Sequence, residues 1–359
     1  MKKIVLTGGG TAGHVTPNIA LIDALRSEGY ELYYIGSHDG IERSLIKDTG
    51  IPYYGISSGK LRRYLDLKNL SDPFKVMKGC YQAFKLIKKI KPDIIFSKGG
   101  FVSVPVIIGG KLNGVPVVLH ESDMTPGLAN KICLPFASKV CTTFSETLKH
   151  LPKEKAVFTG SPIRESLITG DRSLGLKACG FNEDKPVLMM IGGSIGAKRL
   201  NDTLRSILPD LLKRYQFVHL CGKGNIDTLL EGLAGYKQFE YVKDELPHLF
   251  AMTDIVVSRA GSNAICELLA LKKPNVLIPL PESASRGDQL LNAASFKEHG
   301  YSYVLQEETM TGETLLQAID EVYNNKNQYL DHMQHSKSKN GVKNVVREIV
   351  SLEMRSSGK

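Results

Sequence analysis

Two segments of this chain repeat one local design. IVLTGGGTAGHVTPNIALIDAL (residues 4 to 25) and VLMMIGGSIGAKRLNDTLRSIL (187 to 208) each run from an apolar stretch through a glycine loop into residues with helical apolar spacing. A strand apolar on both faces must be covered on both, and the helix that follows provides one cover. This is how a doubly wound parallel sheet begins. Similar runs at ELYYIG (31 to 36), DIIFS (93 to 97), VPVVLH (115 to 120), QFVHLC (216 to 221), DIVVS (254 to 258) and PNVLIP (274 to 279) alternate with amphipathic stretches from end to end. The expected class is therefore α/β. With 359 residues, two cores are expected rather than one. The boundary is placed near GSPIRE (160 to 165), giving a domain of residues 1 to 163 joined by a final helix at 340 to 359, and a second of residues 164 to 339. A cleft between them is the default place for a ligand.

Several classes are excluded. The six cysteines are scattered without a C-x-x-C pair, so neither a disulfide nor a zinc framework is expected. No apolar run approaches the roughly 20 residues of a membrane span. The opening MKKIVLTGGG has three apolar residues before its glycines, too few for a signal-peptide core. A cytoplasmic location is expected.

The formal charge of +9 is concentrated. Residues 60 to 91 hold Lys60, Arg62, Arg63, Lys68, Lys75, Lys78, Lys85, Lys88, Lys89 and Lys91 against only Asp66 and Asp72. Asp72-Pro73 suits a helix start. Beyond it Phe74, Met77, Tyr81 and Phe84 share a face beside a stripe of Lys75, Lys78, Lys85 and Lys89. Two readings stand: an interfacial helix meeting anionic headgroups, or an ordinary helix with its aromatic face in the core and its lysines in solvent. Nucleic acid is not expected, because no recognised module accompanies the charge.

Gly8-x-Gly10-x-x-Gly13 matches a dinucleotide fingerprint, but the second strand ends Ile35-Gly36-Ser37 without the acid that would hold a ribose. A nicotinamide enzyme is disfavoured. What survives is a loop that lets backbone N–H groups and a helix dipole approach anionic oxygen. His14 is expected in the first helical turn, where the dipole disfavours positive charge and keeps a neutral imidazole available as a base; the alternative is a surface or capping histidine. The second loop, Gly192-Gly193-Ser194-Ile195-Gly196, lacks the P-loop lysine, which weakens an ATPase reading. Ser194 suits a diphosphate held by neutral donors, or a helix N-cap. In SRAGSNAICE (258 to 267), Glu267 can accept from both ribose hydroxyls, although helix glutamates are common on surfaces. No Asp-x-Asp pair is present to bring a metal, so neutralisation falls to helix ends, hydroxyls and arginine, with Arg164 a candidate. No cofactor or metal is expected.

GGGTAGH (8 to 14), SKGGFVSVP (97 to 105), HESDMTPGLANK (120 to 131), GSPIR (160 to 164), GGSIGA (192 to 197), SRAGSNAICE (258 to 267) and RGDQLLNA (286 to 293) together resemble the MurG family over nearly the whole chain. The resemblance implies a GT-B architecture, two Rossmann-like domains facing across a cleft. It implies inverting transfer of N-acetylglucosamine from UDP-N-acetylglucosamine to the muramoyl 4-hydroxyl of undecaprenyl-linked lipid I, giving lipid II. It makes His14 the base and puts Thr11, Ala12 and Gly13 beside the reacting sugars. Arg164 and Ser194 match donor-binding positions, Glu267 the ribose carboxylate and Gln289 a holder of sugar hydroxyls. Asp123, Val242, Gly261, Ser262 and Asn263 are further implied substrate contacts. Docking on the cytoplasmic face of the membrane would fall to Phe74, Lys75, Met77, Lys78, Tyr81 and Lys85, with other envelope-synthesis proteins as further partners. Asp123, Ile195 and Asp288 depart from the commoner residues of the family. A GT-B enzyme glycosylating diacylglycerol and a non-catalytic UDP-sugar-binding scaffold are the rival readings.

Overall fold

The structure is a computed structural model that describes residues 1–59, 72–193, 196–283, 287–336 and 340–357. The chain divides into two compact units, Met1–Arg164 with Ser338–Lys359, and Glu165–Lys337.

The first unit is built on a seven-stranded parallel sheet. Its strands are β1 (Lys2–Thr7), β2 (Tyr30–Ser37), β3 (Tyr53–Ile56), β4 (Ile94–Ser97), β5 (Val117–Glu121), β6 (Lys139–Thr142) and β7 (Ala156–Phe158), in the order β3-β2-β1-β4-β5-β6-β7. Alternation along β1 assigns the two faces. Ile4 and Leu6 enter a core with Leu21, Leu25, Val345 and Ile349, while Val5 enters another with Ala83, Ile87, Ile95 and Ile107. The helices Thr16–Ser27 and Val342–Ser357 therefore cover one face, and Asp72–Ile90 with Ser103–Leu112 the other. Fully burying each such aliphatic side chain contributes about 1.5–3 kcal/mol.

The final helix belongs to this unit through specific bonds. Asn340 pairs both ways with the Ile163 backbone at 3.1 and 2.9 Å, Asn344 Nδ2 donates to Thr159 O at 3.0 Å, and Lys2 meets Glu353 at 2.8 Å.

The second unit has six parallel strands, β8 (Val187–Ile191), β9 (Gln216–Leu220), β10 (Tyr236–Phe239), β11 (Ile255–Ser258), β12 (Asn275–Leu277) and β13 (Tyr303–Val304), ordered β10-β9-β8-β11-β12-β13. Leu188, Met190 and Val257 pack with Leu200, Leu204, Leu315 and Ile319.

Both sheets reverse their winding beside the first strand, between β1 and β4 and between β8 and β11. Ligands of doubly wound sheets bind at the carboxyl ends of the strands flanking that reversal. In each unit the glycine loop leaves the sheet at that point.

Candidate active site

After β1 the chain passes through Gly8, Gly9 and Gly10 into a 3-10 turn, Ala12–His14, before the helix Thr16–Ser27 starts with Pro17 in its first turn. His14 thus stands ahead of the helix and not in its first turn, a correction to the sequence expectation. Thr11 is extended and its carbonyl accepts from His14 N at 3.1 Å, which closes the tight turn. His14 is half-buried. Its Nδ1 lies 3.1 Å from Gly9 O and 3.1 Å from Thr11 Oγ1. A carbonyl only accepts, so the proton of the neutral ring belongs on Nδ1 and its lone pair on Nε2. Thr11 is exposed, and Ala12 and Gly13 are half-buried beside it.

Neighbouring loops lock this one in place. Gly100, at φ +86°, lies so close that a Cβ there would strike the Gly9 carbonyl. Tyr34 donates to Gly8 O at 2.7 Å, and Asn18 Nδ2 to Thr7 O at 3.1 Å.

Three charged residues near the loop were not singled out by sequence. Glu42 is fully buried and accepts from Gly10 N at 3.1 Å. Lys98, 1% exposed, reaches His120 Nδ1 at 2.9 Å and donates to Ser122 Oγ. Burial first, then the Lys98 charge, holds His120 well below the usual histidine range, and its Nε2–H donates to Gly160 O at 3.0 Å. Glu121 is also buried. It accepts from the backbone N–H groups of Ser122, Asp123 and Gly127 and from Asn130 Nδ2 at 2.8–3.1 Å. One carboxylate therefore folds the loop that carries Asp123. Arg164 closes the first unit half-buried, with its Nε buried and without a hydrogen-bond partner.

In the second unit a cavity of about 160 Å³ opens among Gly193, Glu240, Val242, Phe250, Ser258 and Glu267. Val242 and Glu267, far apart in sequence, are brought to one wall set. Glu267 belongs to the helix Ser262–Ala270, which is capped by Gly261 without a side-chain cap bond. Its first N–H groups are of the kind that receive anionic oxygen. Ser262 is buried and Asn263 half-buried in that first turn. Gln289 Oε1 accepts from Leu280 N at 3.1 Å, and Asn292 Nδ2 donates to Ala260 O at 3.1 Å, so the helix Asp288–Glu298 steadies the turn before Gly261. Sequence also missed Arg259, whose guanidinium grips Glu307 at 2.6 and 3.1 Å with both side chains nearly buried. Ser194, with Ile195, lies outside the described residues. Among the described residues no cluster of three or more His, Cys, Asp or Glu is placed to hold a metal ion.

The helix Asp72–Ile90 turns Gly79, Ala83, Ile87 and Ile90 inward and leaves Phe74, Met77 and Tyr81 59–69% exposed. Lys75, Lys78, Lys85 and Lys89 are exposed alongside, with Lys85 Nζ 4.4 Å from the Tyr81 ring centre. Phe84 is half-buried. The reading that put the whole aromatic face in the core is thereby overturned, because Gly79 and Ala83, with Ile87 and Ile90, make the inward face. Residues 60 to 71, with Lys60, Arg62, Arg63 and Lys68, lie outside the described residues. Among the described residues no helix is long and apolar enough to cross a membrane.

Comparison with known proteins finds two family models along the chain, the second of which runs on into the final helix that packs with the first unit. Residues 4–142 match the glycosyltransferase family 28 N-terminal domain, and residues 187–349 its C-terminal domain. A relative from Lachnospira eligens, named UDP-N-acetylglucosamine–N-acetylmuramyl-(pentapeptide) pyrophosphoryl-undecaprenol N-acetylglucosamine transferase, is 61% identical over 97% of this chain and 99% of its own. The chain belongs to the MurG family. A Clostridium tetani relative of the same name is 58% identical over 96% of each chain. The crystal structure of Acinetobacter baumannii MurG matches with a TM-score of 0.77 at 27% identity, covering 98% of this chain and 100% of that one. A structure of the glycotransferase of kitacinnamycin, TM-score 0.74 at 14% identity over 98% of each chain, shares the fold alone.

Proposed function

We propose that the chain is an inverting hexosyltransferase that moves N-acetylglucosamine from UDP-N-acetylglucosamine to the muramoyl 4-hydroxyl of lipid I, giving lipid II for peptidoglycan synthesis. The observation that carries this reading is the nearly full-length, 61% identical match to a relative bearing that activity in its name.

The residues supply the chemistry as follows. The acceptor hydroxyl attacks the anomeric carbon from the face opposite the diphosphate, the bond to UDP breaks, and the hydroxyl proton passes to His14 Nε2. Such base assistance contributes about 10²–10⁴-fold. The departing diphosphate gathers negative charge, which oriented N–H groups and a guanidinium stabilise without reorganisation. The first turns of the helices at Gly261-Ser262-Asn263 and after Ser194, with Arg164, have that role. Glu267 accepts from the ribose hydroxyls, Val242 is a further substrate contact, and Gln289 holds the sugar hydroxyls. Thr11, Ala12, Gly13 and Asp123 meet the acceptor.

A lipid-linked acceptor requires the enzyme to work at a surface. Phe74, Met77 and Tyr81, interleaved with Lys75, Lys78 and Lys85, suit docking to the anionic cytoplasmic face of the membrane, with other envelope-synthesis proteins as neighbours there.

Release of UDP from UDP-N-acetylglucosamine, with and without a short-chain lipid I analogue, tests the reading. The expected result is release that depends on the analogue. Release stimulated by diacylglycerol instead, or donor binding without release, replaces it with one of the two rivals.

A further inference from the structure

Glu42 has no role in the chemistry above, yet the first glycine loop is arranged around it. It sits on the short helix Ile41–Lys47 with no exposure to solvent. Its Oε1 accepts from Ser37 N at 2.9 Å and Ser37 Oγ at 2.6 Å, and its Oε2 accepts from Gly10 N at 3.1 Å. A Cβ on Gly9, Gly36 or Gly40 would collide with the Glu42 side chain, so the chain keeps three glycines around one carboxylate. Tyr53 donates to Ser37 O at 2.5 Å, and burial, then the Glu42 charge, pushes its phenol upward so that it stays a donor.

A buried carboxylate is a costly way to fill space, since an apolar side chain of similar volume pays no desolvation. What it adds is direction. Gly10 N–H and Gly9 C=O belong to one planar trans peptide and point opposite ways. Drawing the N–H onto Glu42 aims the carbonyl at His14 Nδ1, 3.1 Å away. Between two glycines such a peptide flips easily, and a flipped peptide would present N–H to the ring and favour the other tautomer.

We propose that Glu42 is a positioning residue: by holding the Gly9–Gly10 peptide in one orientation it keeps the His14 proton on Nδ1 and the lone pair on Nε2. The consequence for turnover rests on the reading of His14 as the base; the consequence for the tautomer does not.

The test uses the full chain labelled with ring-15N histidine, with the His14 signals assigned by their loss in His14→Gln. Glu42→Gln keeps the volume but sets an NH2 against backbone N–H donors. In the wild type the neutral His14 ring is expected as the Nδ1–H tautomer. In Glu42→Gln the ratio shifts several-fold toward Nε2–H, and kcat falls about tenfold or more, up to the roughly 10²–10⁴-fold that general-base assistance supplies in full, while the donor KM stays within about twofold. A folded Glu42→Gln with an unchanged tautomer ratio overturns the proposal. If that variant does not fold, Ser37→Ala, which removes one bond to the carboxylate, is expected to shift the ratio the same way, and no shift overturns the proposal equally. Undiminished turnover in His14→Ala removes the base reading instead, and leaves the tautomer ratio to decide the role of Glu42.

Discussion

Gln289 binds the backbone of Ala260 through its side-chain oxygen, which lies 3.3 Å from Ala260 N. The same oxygen accepts from Leu280 N, so the amide is held with its NH2 end turned away from both. Gln289→Glu preserves those acceptor bonds and removes the donor. The donor KM is expected to rise about 3- to 10-fold, the loss of one neutral hydrogen bond, with the melting midpoint close to wild type. An unchanged KM would remove Gln289 from the sugar contacts.

Glu267 lines the cavity of the second unit together with Val242. Under the proposed ribose contact, truncation to alanine deletes charge-assisted hydrogen bonds, and the donor KM should rise roughly 10- to 100-fold. Kinetics on UDP-N-acetylglucosamine decide this; a KM within twofold of wild type rules out the ribose contact.

Four exposed lysines lie beside exposed Phe74, Met77 and Tyr81 on the helix Asp72–Ile90, the element proposed to dock on the membrane. Changing Lys75, Lys78, Lys85 and Lys89 together to Glu removes attraction of about 1 kcal/mol per lysine and adds repulsion. Co-sedimentation with anionic vesicles should be lost while circular dichroism is unchanged. Undiminished binding would assign the stripe to solvent.

His219 gives the second unit a pH-dependent stability. It is fully buried, bonded to Tyr236 Oη at 2.8 Å and Asn201 Oδ1 at 3.0 Å, and burial, then Arg205, lowers its pKa to about 3. Above about pH 6.5, the ordinary histidine value, neither state carries the proton and its contribution is complete. Between 6.5 and 3 the unfolded chain takes a proton that the folded chain refuses, so stability falls by about 1.4 kcal/mol per pH unit. Urea unfolding at pH 7.5 and 5.5 should show a smaller loss on acidification in His219→Gln than in wild type. Equal losses would contradict the assignment.

The interior strands were legible because both of their faces are apolar. The edge strands β3, β7, β10 and β13 were not, being two to four residues long and partly exposed. β6, four residues beginning at Lys139, was too short to stand out. Helix Asp72–Ile90 carries two apolar stripes, and periodicity alone could not say which one turned inward. Its small residues decide it, Gly79 and Ala83 approaching the helix Ser103–Leu112 closely at Pro105 and Gly109.

At the site, glycine spacing exposed the loop and His14. Glu42 escaped because its contact with Gly10 joins residues 32 apart, and on a helix it reads as an ordinary surface acid. Glu121 did leave a signal, an acid ending the apolar run VPVVLH, where burial demands partners.

The most direct test of the account is the turnover of His14→Ala on UDP-N-acetylglucosamine and a short-chain lipid I analogue. A base at Nε2 predicts a kcat about 10²–10⁴-fold lower, with the donor KM little changed because the proposed donor contacts belong to other residues. Turnover within a fewfold of wild type would contradict it.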